Sequence, residues 1–217
     1  RIALRRLRTI CVMFRHDIPS PVFQTIDLEA EWLMHQLGRA REWDVFAETI
    51  ADLAAVPLEI DFSGLREVVE RQRGSSRDAV QAVLADPRCS RFLLALGNVI
   101  ERCGWRNEID SEALMVLDQP VSERAGKILT RLHHKALKRG TDFRHLDFAA
   151  QHKLRIDLKK LRYALEFLSP LYADHAPAKR YAKRLARLQS SLGRVCDIVR
   201  NRALLETIRQ NDQPLIQ

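Results

Sequence analysis

Several features that define common protein classes are scarce or missing in this sequence. Its 217 residues contain four cysteines, Cys11, Cys89, Cys103 and Cys196, with no CxxC pair. This usage argues against a disulfide-stapled secreted module and indicates the reduced thiols of a cytoplasmic protein. No run approaches the ~18 consecutive apolar residues of a membrane-spanning helix, and no apolar signal-peptide core follows Arg1. We therefore expect neither a membrane protein nor a small secreted one.

Strand patterns are also missing, and helix breakers are few. Gly and Pro contribute 8 residues each, mostly between apolar stretches that repeat with the period of an α-helix. The pattern predicts an all-α protein with the short loops typical of helical bundles. The helices are expected at about 1–15, 27–55, 64–85, 88–105, 111–140, 147–169 and 176–210, the last with a break near Gly193.

Positive charge is abundant and unevenly distributed. The chain has 36 Lys and Arg against 28 Asp and Glu, a net charge of +8, and 28 of the 36 cations are arginine. Arginine is favoured where oxyanions are bound by two parallel hydrogen bonds. Residues 1–110 have a net charge of −2 (15 basic, 17 acidic) and residues 111–217 a net charge of +10 (21 basic, 11 acidic). This charge predicts an anionic partner: nucleic acid, an acidic lipid surface or a smaller polyanion.

An internal repeat is the most informative feature of the sequence. Residues 1–14 and 155–168 align at an offset of 154. The matching pairs are Arg1/Arg155, Ile2/Ile156, Leu4/Leu158, Arg5/Lys159, Arg6/Lys160, Leu7/Leu161 and Arg8/Arg162. A second match, at an offset of 155, pairs Leu37-Gly38-Arg39 with Leu192-Gly193-Arg194. Two matches at nearly one offset indicate a duplicated unit.

The length of the repeat bears on the domain organisation. A unit of about 150 residues is too long for a solenoid repeat. We therefore expect a single domain over 1–217, made of two helical bundles related by a pseudo-twofold axis. The halves are expected at about 1–110 and 111–217, with a basic groove between them.

The repeated helix separates an apolar face from a cationic one. At 100° per residue, one face is a leucine seam formed by Leu154, Leu158, Leu161, Leu165 and Leu168. The neighbouring face carries cations, an imidazole and a phenol: His152, Arg155, Lys159, Arg162 and Tyr163. The first copy presents Arg1, Arg5 and Arg8 in the same way. Arg6 and Lys160 lie off this face and are expected to be solvated.

The cationic stripe has two interpretations. Like charges at i,i+4 repel by a few tenths of a kcal/mol, so a stripe repeated in both halves favours an anion-binding face over an ordinary solvated one. His152 is either a hydrogen-bonded structural group or a ligand-facing one that binds anions more tightly as the pH falls. Tyr163 is either a hydrogen-bond donor to the anion or a packing residue.

Further cations could extend such a face. They recur at three- and four-residue steps on two other helices, with Arg131, Lys135 and Lys138 on one and Arg180, Arg184 and Arg187 on the other, where Lys183 is a further candidate. These are weaker candidates, because exposed Lys and Arg also serve solubility. Whether the helices converge on one groove depends on how they pack.

No pattern for catalysis, a metal or a cofactor is present. His133 and His134 are adjacent and diverge on a helix, and no HExxH occurs. The basic faces offer no nucleophile or pair of carboxylates. Walker A and GxGxxG patterns are missing. We therefore expect a protein that is not an enzyme, without catalytic residues, a cofactor or a metal site.

The paired motifs resemble those of the CHAD family, the conserved histidine α-helical domain. Its pattern is similar to H-x-x-R-x-x-x-[KR]-[KR]-L-R once per half, matched here by His152, Arg155, Lys159, Lys160, Leu161 and Arg162. The first copy matches from Arg1 onward, and its histidine would precede the chain by three positions. Cys196 stands where the family often has arginine. The resemblance implies a pseudo-twofold helical domain around a basic groove, associated with inorganic polyphosphate, with polyphosphate granules as a possible location.

Three functions remain open at this point. The first is non-catalytic binding of inorganic polyphosphate or a similar polyanion by the residues named above. The second is binding of RNA or DNA, which is less favoured because aromatic residues are only 6% and lie mostly at core spacing. The third is an accessory, substrate-binding role beside a triphosphate or polyphosphate enzyme. The start at Arg1, without a methionine and within a helical pattern, leads us to expect that the natural chain begins upstream.

Overall fold

The computed structural model describes residues 1–15, 17–57, 60–172 and 176–211, and within them the chain is α-helical without strands. This confirms the predicted fold class. The eight α-helices of these residues are α1 (Ile2–Phe14), α2 (Pro21–Ala54), α3 (Ser63–Ala85), α4 (Pro87–Arg102), α5 (Ser111–Leu117), α6 (Val121–Gly140), α7 (Phe148–Leu168) and α8 (Ala176–Asn211). Short 3-10 turns follow α4, α6 and α7.

Three predicted helix bounds were wrong, each for a local reason. Helix α2 begins at Pro21, six residues earlier than expected, because the Ser20 hydroxyl accepts a hydrogen bond from the Val22 amide and proline fits the first turn. The expected helix over 111–140 is divided, since Pro120 cannot continue α5 and instead precedes α6. Helix α8 runs through Gly193 without the expected break.

The predicted leucine seam is the core of the second half. All five leucines of the seam are buried, and they pack with Ile128 and Leu132 of α6 and with Leu185 and Leu192 of α8. Helix α7 therefore lies between α6 and α8. The apolar side of α7 packs against both neighbouring helices. This packing also determines which way the cationic side of α7 faces.

The first half contains two smaller apolar clusters. Cys11 of α1 packs with Ile26 and Leu33 of α2 and with Phe92 of α4. Farther along α2, Trp43, Phe46 and Ile50 pack with Val68 and Val69 of α3.

Two helices contribute to the cores of both halves. Met13, at the end of α1, is buried in the leucine cluster of the second half. Ile208, near the end of α8, is buried in the α2–α3 cluster of the first half. Helices α1 and α7, which carry the two copies of the repeat, lie against each other. This packing brings the repeated cationic faces together.

Candidate functional site

The two copies of the repeat meet at Lys159. Its ammonium group is partly buried and lies in the positive field of Arg155 from its own helix and Arg5 from α1. Burial is the largest cause, and together with these two arginines it lowers the pKa of Lys159 to about 7; Asp197 and Cys196 oppose the shift. Cations that the sequence separates by about 150 positions therefore act on one another directly.

The central cations have no acidic partner at contact distance. Within the described ranges, Arg5, Arg155 and Lys159 form no ion pair within 4.0 Å. The Nε atom of Arg155 is buried and donates no hydrogen bond to the described residues. Unpaired buried donors and clustered like charges are unfavourable in an empty protein. An anion bound here would relieve both costs.

An open groove between α7 and α8 exposes this cluster. Its volume is about 440 Å³, and the residues that line it are Arg155, Lys159, Arg162, Ala186, Gln189, Ser190, Gly193, Arg194 and Asp197. Besides four cations, the lining contains the hydroxyl of Ser190 and the amide of Gln189, which donate hydrogen bonds to the carbonyls of Ala186 and Leu158. Asp197 is its single carboxylate.

Gly193 lets Arg155 lie close to the backbone of α8. A Cβ atom at position 193 would come within 3.3 Å of Nη2 and 3.7 Å of Nε of Arg155. At Gly38, the corresponding position of the first repeat, no atom would lie within 4 Å of an added Cβ. The glycine of the repeated Leu-Gly pair thus positions a guanidinium group in the second half alone.

His152 lies beside the cluster and contacts a cysteine. Its Nδ1 atom is 3.9 Å from the Sγ atom of Cys196. Burial, followed by the charges of Arg155, Arg200 and Lys159, lowers the pKa of His152 below its ordinary value of 6.5. The imidazole is therefore neutral near pH 7. Cys196 is buried, with 1% of its surface exposed, so this pair does not present a nucleophile to the groove.

Arg1 borders the same region from α1. Burial and the charge of Arg5 lower its pKa, Glu42 of α2 raises it, and Arg200 of α8 lowers it. The Nε atom of Arg200 lies 3.3 Å from Glu42, and its Nη1 atom lies 3.2 Å from Asp197. The acidic residues that follow the two Leu-Gly pairs thus bind one arginine at the edge of the cluster.

Arg8 and Arg162, equivalent in the repeat, both bind protein groups. Arg8 lies 2.8 Å from Asp27 and 2.9 Å from Glu31 of α2. Arg162 pairs with Glu166 and donates a 3.1 Å hydrogen bond to Gln189. These cations already have partners, so they are less available to a ligand than Arg5 and Lys159.

Tyr163 and Lys160 are both less exposed than a surface role requires. Tyr163 is buried, and the guanidinium of Arg162 lies 4.6 Å from its ring centroid. This geometry favours the packing alternative for Tyr163.

Lys160 was wrongly expected to be solvated. It is half-buried, and burial lowers its pKa while Asp157 opposes the shift. Arg6 is exposed, as expected.

The candidate cations of α6 bind neighbouring helices. Arg131 donates a 2.9 Å hydrogen bond to the carbonyl of Met13 at the end of α1. The ammonium of Lys135 lies 3.7 Å from the buried carboxylate of Asp157 on α7. Lys138 is exposed, without an ion pair to the described residues. Two of these three candidates therefore serve helix packing.

The candidate cations of α8 divide into two groups. Lys183 and Arg187 line a second open groove of about 550 Å³, together with Ala186, Ser190, Ser191 and Arg194. Arg184 is exposed but lines neither groove.

Sequence reasoning missed two cations near the site. Arg194 lines both grooves, and Arg200 is ion-paired at the edge of the cluster. The spacing of seven between Arg187 and Arg194 places them on one face of a helix and could have indicated the first. Because a helix break was expected near Gly193, Arg187 and Arg194 were not placed on the same helix face.

The described residues have neither a membrane-spanning helix nor a metal-binding cluster. None of their helices has the length and apolarity to cross a membrane. They contain no group of three or more His, Cys, Asp or Glu side chains placed to hold a metal ion.

Comparison with known proteins identifies the family. A CHAD domain family model matches residues 1–206. The crystal structure of the CHAD domain from the plant Ricinus communis superposes with a TM-score of 0.77 at 32% sequence identity, covering 98% of this chain and 68% of the plant chain. No curated protein matches the chain significantly. The family match over nearly the whole length, together with this structural likeness, shows that the chain belongs to the CHAD family.

Proposed function

We propose that this CHAD domain binds inorganic polyphosphate, or a similarly phosphate-rich polyanion, without catalysing a reaction. The observation that carries the proposal is that Arg5, Arg155 and Lys159, from two repeats, meet without an ion pair to any acidic side chain of the described residues. Such a cluster gains most from a ligand that brings several negative charges close together.

The lining of the groove favours a ligand of phosphate groups alone. Its residues are cations, small residues, an amide, a hydroxyl and one carboxylate, and no aromatic ring is among them. Proteins that bind single-stranded nucleic acid stack bases on aromatic side chains. A polyphosphate chain has no bases and needs only charge and hydrogen-bond donors. The groove therefore fits it better than RNA.

Direct titration tests this function. We expect long-chain polyphosphate to bind most tightly, tripolyphosphate and ATP more weakly, and RNA most weakly at equal phosphate concentration. The logarithm of the binding constant should fall linearly with the logarithm of salt concentration, with a slope of roughly 0.7 for each phosphate contact. Calorimetry at two salt concentrations measures both the order of the affinities and the salt slope. Displacement of bound polyphosphate by RNA at equal phosphate concentration would contradict the proposed selectivity.

Gly193→Ala should separate binding from stability. The new methyl group would displace the guanidinium of Arg155, since the two would lie within 3.3 Å of each other. We expect polyphosphate affinity to fall by about threefold, as one charge-assisted hydrogen bond is weakened. Alanine also favours a helix interior over glycine by about 1 kcal/mol, so the thermal midpoint should stay constant or rise.

The matched control for this change is Gly38→Ala. Position 38 corresponds to 193 in the repeat and has no atom within 4 Å of an added Cβ. It should give a similar gain in helix stability and leave affinity unchanged. Equal affinity for the two variants would show that Gly193 does not position Arg155 for the ligand.

A further inference from the structure

We propose that a bound polyanion leaves the central cluster in one direction only, along an α8 track made of Arg194, Ser190, Arg187 and Lys183. This inference rests on the proposed function and adds the direction in which the bound chain runs. The pseudo-twofold repeat by itself would predict two equivalent paths, one over α2 and one over α8. The side chains of the two helices make these paths different.

The α8 track is continuous with the central groove. Ala186, Ser190 and Arg194 line both the groove that contains Lys159 and the outer groove that contains Lys183. From Arg194 to Lys183 is eleven positions, or about 17 Å at the rise of an α-helix. A ligand held by Lys159 can therefore continue over α8 along the residues that line both grooves.

The cations of the track have no partners of their own. Lys183, Arg187 and Arg194 are exposed and form no ion pair with the described residues. Lys183 and Arg187 are four positions apart, so their charges repel one another across one helix turn. An anionic chain lying on the track would remove that repulsion.

The corresponding face of α2 lacks this character. At the offset of 155 that aligns the two Leu-Gly pairs, Lys183 corresponds to Leu28, Arg187 to Trp32 and Ala186 to Glu31. Leu28 is exposed and apolar. A polyanion would lose two cations on this side and meet a carboxylate instead.

The acidic side chains on that face of α2 are already paired, whereas Arg39, which corresponds to Arg194, is exposed. Glu31 lies 2.9 Å from Arg8. The guanidinium of Arg88 lies 4.1 Å from the ring centroid of Trp32, and it pairs with Glu29 at 2.8 Å. These contacts cover the path with an acidic and aromatic surface. The ligand path is therefore asymmetric although the helices are related by a repeat.

Ligand length provides the test. Tripolyphosphate is shorter than the ~17 Å track and should occupy the central cluster alone, whereas long-chain polyphosphate should reach Lys183. In the double variant Lys183→Ala/Arg187→Ala, we expect the affinity for long-chain polyphosphate to fall about fivefold or more, and the salt slope to decrease by roughly 1.4, or 0.7 for each lost contact. The affinity for tripolyphosphate should remain unchanged.

A matched variant controls for the loss of overall charge. Arg91→Ala/Arg102→Ala removes two exposed arginines from α4, away from both grooves, and should bind both ligands like the unchanged protein. Backbone NMR shifts give the direction of the path. Long-chain polyphosphate should perturb residues 183–194 but not residues 28–36, and tripolyphosphate should perturb neither outer segment.

The outcomes separate this inference from the proposed function. Equal binding of long-chain polyphosphate by the α8 double variant and the unchanged protein would overturn the track while leaving the central site in place. Equal perturbation of residues 28–36 and 183–194 would overturn its one-sided direction. A failure of the unchanged protein to bind polyphosphate at all would overturn the proposed function and the track together.

Discussion

Replacing both Arg155 and Lys159 by alanine is expected to weaken polyphosphate binding by at least about 100-fold. Each side chain can supply a charge-assisted hydrogen bond, worth about 1.5–3 kcal/mol, and 1.4 kcal/mol corresponds to a factor of ten in affinity. The two residues lie side by side in the central groove, with no ion pair to the described residues that would compete for them. Arg5 alone should not replace them.

The same double variant should fold normally. Neither side chain belongs to the leucine seam of α7, and removing them relieves repulsion with Arg5. Circular dichroism should therefore show unchanged helicity and an equal or higher thermal midpoint. The matched control is Arg144→Ala/Lys153→Ala, which removes two exposed cations near the start of α7. Unchanged affinity in the folded Arg155/Lys159 variant would exclude this face as the binding site.

The affinity for long-chain polyphosphate is expected to fall about tenfold between pH 6 and pH 8. The pKa of Lys159 in the empty protein is about 7, so its cationic fraction falls about tenfold over this interval, and affinity falls with the fraction that is competent to bind. The sign follows from charge: deprotonation of an ammonium group removes attraction for an anion. Internal phosphates of a long chain are fully ionised throughout, so the ligand contributes little to the change.

Proton uptake should accompany binding at pH 8. A bound anion favours the charged form of Lys159 and raises its pKa toward the ordinary value near 10.4. Calorimetry in two buffers of different ionisation enthalpy should therefore give an uptake close to one proton at pH 8 and much less at pH 6. An uptake near zero at both values would contradict a neutral Lys159 in the empty site.

Two variants test whether the pH dependence of binding comes from Lys159 or from His152. Lys159→Arg keeps a permanent charge and should flatten the profile between pH 6 and pH 8. His152→Gln should preserve the profile, because the lowered pKa of His152 leaves the imidazole neutral over most of this range. The other groups near Lys159 are Arg5, Arg155, Asp197 and Cys196. A profile abolished by His152→Gln and kept by Lys159→Arg would reverse the assignment.

Local sequence patterns were sufficient to predict much of the fold. The period of the leucines on α7 identified the face that is buried, because a helix with one apolar side has a single favourable way to pack. The duplicated motif grouped Arg5, Arg155 and Lys159 as candidates for one site, and the structure brings these three cations close together. Helix ends were less predictable. Ser20 begins α2 through a hydrogen-bonded cap, and Pro120 ends α5 by steric exclusion, and the apolar period of the sequence reports neither effect.

The site itself depended on contacts between helices. Arg8 and Arg162 belong to the same motif as the central cations, yet Arg8 binds Asp27 of α2, and Arg162 binds Gln189 of α8 in addition to Glu166 of its own helix. Arg131 likewise binds a carbonyl at the end of α1. A helical wheel shows which way a side chain faces but not which partner it meets, so it could not separate free cations from paired ones.

The sequence by itself determined that the chain is all-helical, duplicated and rich in arginine on one face of a repeated helix. These properties follow from residue order along single helices, where the spacing of side chains fixes which of them share a face. Tertiary structure alone decided that the two faces meet at Lys159, which described cations form ion pairs, and that residues of α8 line both grooves. Those properties are set by packing between segments far apart in the chain, which brings charges to distances that no local pattern encodes.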